Sequence, residues 1–123
     1  MQKILIVDDD VQLCAALSEE FYHRGYITSA VYTADDAIDQ VKSFNPDIIF
    51  LDLKMPGKGG FDVLRALNSS SNSIPIIVLT AYADVRSAID AAKLGASDFI
   101  SKPYNFEELM SAVNRLTGTK SLS

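Results

Sequence analysis

Short apolar runs alternate along the whole chain with stretches in which apolar residues recur every three or four positions. Lys3 to Val7 (KILIV) reads as a buried strand that stops at Asp8-Asp9-Asp10. A helix is predicted next, with Val11, Cys14, Leu17 and Phe21 on one stripe and Gly25 as its stop. Tyr26 to Val31 alternates Ile27, Ser29 and Val31, the pattern of a half-exposed strand at a sheet edge. Thr33 has the character of an N-cap, with Asp36 as a capping-box partner. Ala37, Ile38, Val41 and Phe44 form the buried stripe of that helix, which Asn45-Pro46 ends.

The second half repeats the alternation. Asp47-Ile48-Ile49-Phe50-Leu51-Asp52 has four consecutive apolar residues, as a strand covered on both faces does, and Pro56-Gly57 breaks the chain soon after. Phe61, Leu64 and Leu67 mark a short helix, and residues 68–73 a polar connection. Ile76 to Leu79 is a second doubly buried strand, ending at Thr80-Ala81. Val85, Ala88, Ile89 and Ala92 predict the buried stripe of a helix stopped at Gly95; so much alanine predicts close, weak packing and mobility. Asp98 to Ser101 is a short strand that stops at Lys102-Pro103. Asn105 caps a last helix, with Glu108 at the capping-box position and Phe106, Leu109, Met110, Val113 and Leu116 as its apolar face.

Five strands and five helices in strict alternation imply an α/β fold. The expected architecture is a doubly wound five-stranded parallel sheet with right-handed crossovers and helices on both faces, a flavodoxin-like three-layer sandwich. With the second strand at an edge, the order is 2-1-3-4-5. Strands 1 and 3 are then neighbours across the topological switch point, so Asp8, Asp9 and Asp52 converge. Thr80 and Lys102 end strands 4 and 5 on the same side.

Composition narrows the function without choosing it. The chain has 123 residues, 48% of them hydrophobic, and a net charge of -5. That predicts one domain over residues 1–117, with 118–123 a tail or the start of a linker. The negative charge argues against direct nucleic-acid binding. No apolar stretch is long enough to cross a bilayer and no signal peptide is visible, so no membrane association and a cytoplasmic setting are expected. The single cysteine, Cys14, permits no internal disulfide and reads as a small buried hydrophobe. His23, near a helix end, reads as a surface residue, and Tyr104 as cover for the edge of strand 5.

Three carboxylates at one mouth repel one another unless something neutralises them. A hard divalent cation, Mg2+, is the candidate. Lys102 adds a fixed positive charge, Thr80 a hydroxyl donor, and Ala81 leaves room beside it. Metal, ammonium and hydroxyl together suit an incoming phosphoryl group, and Asp52 is the best-placed carboxylate to accept it as an acyl phosphate. Asp10 reads mainly as a helix cap.

The segments ILIVDDD, DIIFLDLKMPG, PIIVLTA and GASDFISKP, in this order and on these strands, resemble the receiver domain of two-component response regulators up to about Thr117. The 2-1-3-4-5 order belongs to known folds of that kind, so it is not independent of the resemblance. The resemblance implies that Asp52 is the phosphoacceptor, Asp9 a direct Mg2+ ligand, Asp8 a ligand acting through water, and the Lys54 backbone carbonyl a further ligand. Thr80, Lys102 and Ala81 would hold the phosphoryl oxygens, Thr80 and Phe99 would form the switch, and Lys102-Pro103 would be a cis peptide. Lys54 and Tyr82 would flank the path of the hydrolytic water, a bulky Tyr82 slowing hydrolysis. Gly59 departs from the acidic or amide residue common before Gly60, which predicts a looser loop, and Phe99 lacks the tyrosine hydroxyl.

The implied partner is a sensor histidine kinase or a histidine phosphotransfer protein. The implied output is the face made by the fourth helix, fifth strand and fifth helix, with room there for a homodimer. Such a chain catalyses only its own phosphorylation and dephosphorylation.

Three other functions compete. A haloacid-dehalogenase-type phosphatase also uses a strand-end aspartate, but has a second aspartate two residues on, where this chain has Lys54. A flavodoxin-like nucleotide binder would want a glycine- or hydroxyl-rich loop after strand 1, where Asp8-Asp9-Asp10 stands. A pseudo-receiver would dock partners without the chemistry.

Overall fold

The computed structural model describes residues 2–55, 59–69, 73–81 and 84–118. Ten elements alternate: β1 (Lys3–Val7), α1 (Val11–Tyr22), β2 (Ile27–Val31), α2 (Ala34–Phe44), β3 (Ile48–Leu51), α3 (Gly60–Ser69), β4 (Ile76–Thr80), α4 (Val85–Lys93), β5 (Asp98–Ser101) and α5 (Phe106–Thr117). The strands form one parallel sheet in the order β2-β1-β3-β4-β5, as the alternation and the edge character of Ile27 to Val31 predict.

Successive side chains on each strand point to opposite faces, and the core divides accordingly. Leu5, Val7, Ile49, Leu51 and Val78 meet α2, α3 and Ala91 of α4 on one face. Ile4, Ile6, Ile48, Phe50, Ile77, Leu79 and Ile100 meet α1 and α5 on the other. Phe21 lies at the centre of that second layer, its ring 5.5 Å from Phe50 and 4.9 Å from Phe106. Parallel strands buried on both faces need the near-continuous apolar runs seen in β1, β3 and β4.

Local signals set the helix ends. Thr33 Oγ1 accepts from Asp36 N at 3.1 Å, and Asn45 closes α2 in the left-handed region at φ 55°. Asp10 Oδ1 accepts from Leu13 N at 3.1 Å, which is the capping role read for it. Asn105 caps α5 by accepting from Glu107 N, one residue earlier than a capping box with Glu108 would have it.

Two predicted stripes are corrected. Val11 opens α1 exposed, because the helix turns toward the sheet only from Cys14 onward. On α4, Val85 is 75% exposed and Ile89 47% exposed, and Ala92 is exposed as well. The buried residue is Ala91. A small side chain lets the helix axis approach the sheet closely, so size complementarity beat hydrophobicity in choosing the inner face. Tyr104 packs against the layer that contains Ile100 of the edge strand β5, and its hydroxyl also reaches across to α1. His23 is exposed, 3.8 Å from Glu19.

Candidate functional site

The ends of four strands bring the site together. Beyond the strands proper, Asp8 N donates to Val31 O, Asp52 N to Val7 O and Lys102 N to Thr80 O, at 3.1, 2.9 and 2.9 Å. These hydrogen bonds carry the parallel ladder one residue past each strand. Each side chain therefore leaves a fixed backbone at the carboxyl edge of the sheet, where open α/β sheets place their ligands.

The cavity there has a volume of about 440 Å³ and is lined by Asp8, Asp9, Asp10, Asp52, Lys54, Met55, Thr80, Ala81 and Lys102. Asp8 is 2% exposed, Asp52 7% and Thr80 fully buried. Lys102 Nζ donates to Asp8 Oδ2 at 2.7 Å and to Asp52 Oδ2 at 3.4 Å. Asp8 Oδ1 accepts from Asp10 N at 2.9 Å, and Asp52 Oδ1 from Lys54 N at 3.2 Å. Lys102-Pro103 is cis.

The charges shape one another. Burial raises the pKa of Asp8, the Lys102 hydrogen bond and the Asp10 backbone oppose this, and the charge of Asp52 adds to the rise. Burial works against a charged Lys102, but its hydrogen bonds and attraction to Asp8 and Asp52 outweigh that, and its pKa is raised. One ammonium faces three carboxylates, so the mouth keeps an excess of negative charge.

Carboxylate oxygens of Asp8, Asp9 and Asp52 lie within 4.8 Å of one another. The donors are all hard oxygens, with no imidazole or thiolate among them, and Asp9 faces solvent while the other two are buried. Such a set fits Mg2+, which binds through one or two carboxylates and keeps several waters. Asp8, Asp9 and Asp52 are the side chains that would hold it.

Asp8, Asp9, Asp52, Lys54, Thr80, Ala81 and Lys102 all line the cavity, whereas Pro103 lies beside it, against Leu13 and Tyr104, and Phe99 lies away from it. Phe99 is half-buried under α3 and α4, paired in register with Val78 of β4. Tyr82 lies outside the described residues, as do Pro56-Gly57 and residues 119–123 of the expected tail. Gly59 N–H donates to Asp62 Oδ2 at 3.1 Å, and residues 56–58 of the loop expected to be looser lie outside the described residues.

Three residues at the site were not expected there. Met55 lines the cavity from a buried position. Cys14 donates its thiol to the Asp8 carbonyl at 3.4 Å, backing the acidic pocket from inside the core. Gly60 seats α3 directly on β3: a Cβ there would stand 2.3 Å from Asp52 O, closer than any side chain tolerates. Only tertiary contact reveals these roles. A lone cysteine and a glycine at a helix start carry no such signal in sequence.

The family model that matches residues 4–114 is that of the response regulator receiver domain. The chain belongs to that family. It is 34% identical over 114 residues to the two-component response regulator PhoP of Pseudomonas aeruginosa, covering 93% of this chain and 51% of PhoP. It is 37% identical over 112 residues to the DNA-binding response regulator MtrA of Mycobacterium tuberculosis H37Rv (91% and 49%). It is 32% identical over 122 residues to the regulatory protein AtoC of Escherichia coli (99% and 26%). The chain thus spans about half the length of the first two relatives and about a quarter of the third.

Solved receivers have the same fold. The Francisella response regulator 1452 receiver domain superposes with a TM-score of 0.90 at 28% identity, covering 96% of this chain and 98% of that one. The BeF3-activated N-terminal receiver domain of Klebsiella pneumoniae RstA superposes at 0.89 with 25% identity (94% and 98%). A receiver domain is a phosphoacceptor signalling module rather than a classical enzyme, and the phosphatase and nucleotide-binder readings give way to it. Among the described residues, no helix of this receiver is long and apolar enough to cross a membrane.

Proposed function

We propose that this receiver takes a phosphoryl group onto Asp52 from a phosphohistidine of a sensor kinase or phosphotransfer protein. The observation that carries the reading is the convergence of Asp8, Asp9, Asp52, Thr80 and Lys102 on one cavity. An Asp52 oxygen attacks phosphorus, the new O–P bond forms, and the N–P bond breaks with its electron pair returning to the imidazole. Bound Mg2+ would supply positive charge for the phosphoryl oxygens and offset the carboxylates of Asp8, Asp9 and Asp52. The Lys54 carbonyl is proposed as its remaining protein ligand.

Lys102, held by Asp8 and Asp52 before transfer, turns its ammonium to a phosphoryl oxygen after it. The Thr80 hydroxyl and the space beside Ala81 receive another oxygen. Thr80 is then drawn inward, Phe99 moves into the space it leaves, and the face of α4, β5 and α5 changes shape for a partner or a second copy. One covalent group thereby shifts the balance between two conformations. Water later attacks phosphorus, releasing phosphate and restoring the Asp52 carboxylate, with Lys54 and Tyr82 beside its path. A Tyr82→Ala variant is expected to lose its phosphoryl group faster.

Intact-mass analysis tests the reading after incubation with Mg2+ and a small phosphodonor. Wild type gains one phosphoryl adduct and Asp52→Asn gains none. Equal labelling of the two, or labelling of neither, contradicts it.

A further inference from the structure

Tyr104 and Glu20 are 84 residues apart in sequence, yet the phenol Oη donates to Glu20 Oε1 at 3.1 Å. Tyr104 stands two residues past Lys102 on the short connection between β5 and α5. Its ring is half-buried in the layer under α1 and α5. Burial pushes the phenol pKa up to about 12, with the Glu20 charge adding to the rise, so the group remains a protonated donor at neutral pH.

The connection is pinned at both ends. Lys102 N donates to Thr80 O at 2.9 Å, and Asn105 caps α5. Between those points, Tyr104 is the residue whose side chain reaches a different helix. Beside it, Arg24, in the turn just past the end of α1, pairs with Glu107 and lies 5.2 Å from the Phe106 ring centroid, so the end of α1 and the start of α5 are tied together. Lys102 needs such support. Its long flexible stem must place one ammonium between Asp8 and Asp52, and a small drift of its backbone would misplace the charge.

We propose that Tyr104 and Glu20 are positioning residues for Lys102, their hydrogen bond fixing the β5–α5 connection to α1 so that the ammonium stays on the acidic pocket. The part that concerns rate rests on the phosphoacceptor reading above. The part that concerns Lys102 itself does not.

Tyr104→Phe keeps the ring and deletes the donor, Glu20→Leu deletes the acceptor, and Glu20→Gln keeps an acceptor oxygen. The first readout is acylation of Lys102 by a water-soluble succinimidyl ester, measured by peptide mass against the exposed Lys42 of the same molecule. The second is the rate of phosphoryl labelling at saturating and at low phosphodonor with Mg2+ present. Tyr104→Phe and Glu20→Leu should each raise Lys102 acylation and lower the saturated labelling rate by about fivefold, the worth of one hydrogen bond. The half-saturating donor concentration should stay unchanged, and Glu20→Gln should behave as wild type. A purely structural role would lower thermal stability and leave folded-state reactivity and rate alone.

Unchanged Lys102 acylation in Tyr104→Phe and Glu20→Leu overturns the proposal, whatever the labelling rate does. Failure of Glu20→Gln to restore wild-type behaviour overturns it too. If acylation rises as expected but wild type takes no phosphoryl group, the positioning role stands and the phosphoacceptor reading fails.

Discussion

The Lys102 ammonium stands 2.7 Å from the Asp8 carboxylate, although 94 residues separate the two in sequence. The contact exists because β1 and β5 both stop at the same edge of the sheet. It does not neutralise the pocket, since Asp52 and Asp9 share the same mouth.

That imbalance predicts a gain in stability from removing a site carboxylate. The folded-state pKa of Asp8 is raised above its ordinary value of 3.8. The stability linked to this shift is present below the unfolded value and is lost as pH rises through the raised folded value. At neutral pH, ionised Asp8 therefore weighs against folding. Asp8→Asn should melt a few degrees higher than wild type in Mg2+-free buffer. Added Mg2+ should stabilise wild type more than the variant, closing the gap. A variant that melts lower without Mg2+ would show that the Lys102 pair outweighs the repulsion.

Removing the cation should do the reverse. Lys102→Met leaves Asp8 and Asp52 without their ammonium and should cost about 1–3 kcal/mol in urea unfolding at neutral pH, less than a fully buried pair because the lysine is partly exposed. The Lys102 pKa is raised above 10.5. Its contribution is therefore complete below that value and disappears as pH rises through the folded pKa. The difference between wild type and Lys102→Met should shrink at strongly alkaline pH. A constant difference would point to lost packing of the lysine stem.

Cys14 offers a probe of the core behind the pocket. It is fully buried, and burial with the nearby Asp8 charge pushes its thiol pKa up to about 12. Thiol reagents at pH 8 should label it at least about a thousandfold more slowly in native protein than in urea, in line with the usual unfolded fraction. Labelling that is fast in native buffer would mean local opening of α1.

The corrected face of α4 makes a contrasting pair of substitutions. Ile89→Ser should change unfolding free energy by less than about 0.5 kcal/mol, as exposed substitutions do. Ala91→Leu should destabilise by about 1–3 kcal/mol through overpacking under the helix. The opposite ranking would restore the stripe suggested by the sequence.

These cases show which features a sequence of this kind makes legible. The strands and their ends follow from apolar runs that stop at polar residues, because doubly buried parallel strands leave little freedom in composition; the sheet order, and with it the convergence of Asp8, Asp52, Thr80 and Lys102, comes from the order known for folds of this kind. The inner face of α4 is not legible from periodicity, because its large apolar residues face out while alanine makes the contact. Gly60, Cys14 and the Tyr104–Glu20 pair act through approaches between distant segments, which no local periodicity encodes.

The most direct measurement locates the phosphoryl group. Borohydride reduction of a protein labelled with a small phosphodonor and Mg2+ converts an aspartyl phosphate to homoserine, which peptide mass mapping then places in the chain. The account predicts homoserine at position 52 and aspartate retained at positions 8 and 9. Homoserine at position 8 or 9, or a labelled protein with aspartate intact at position 52, would contradict it.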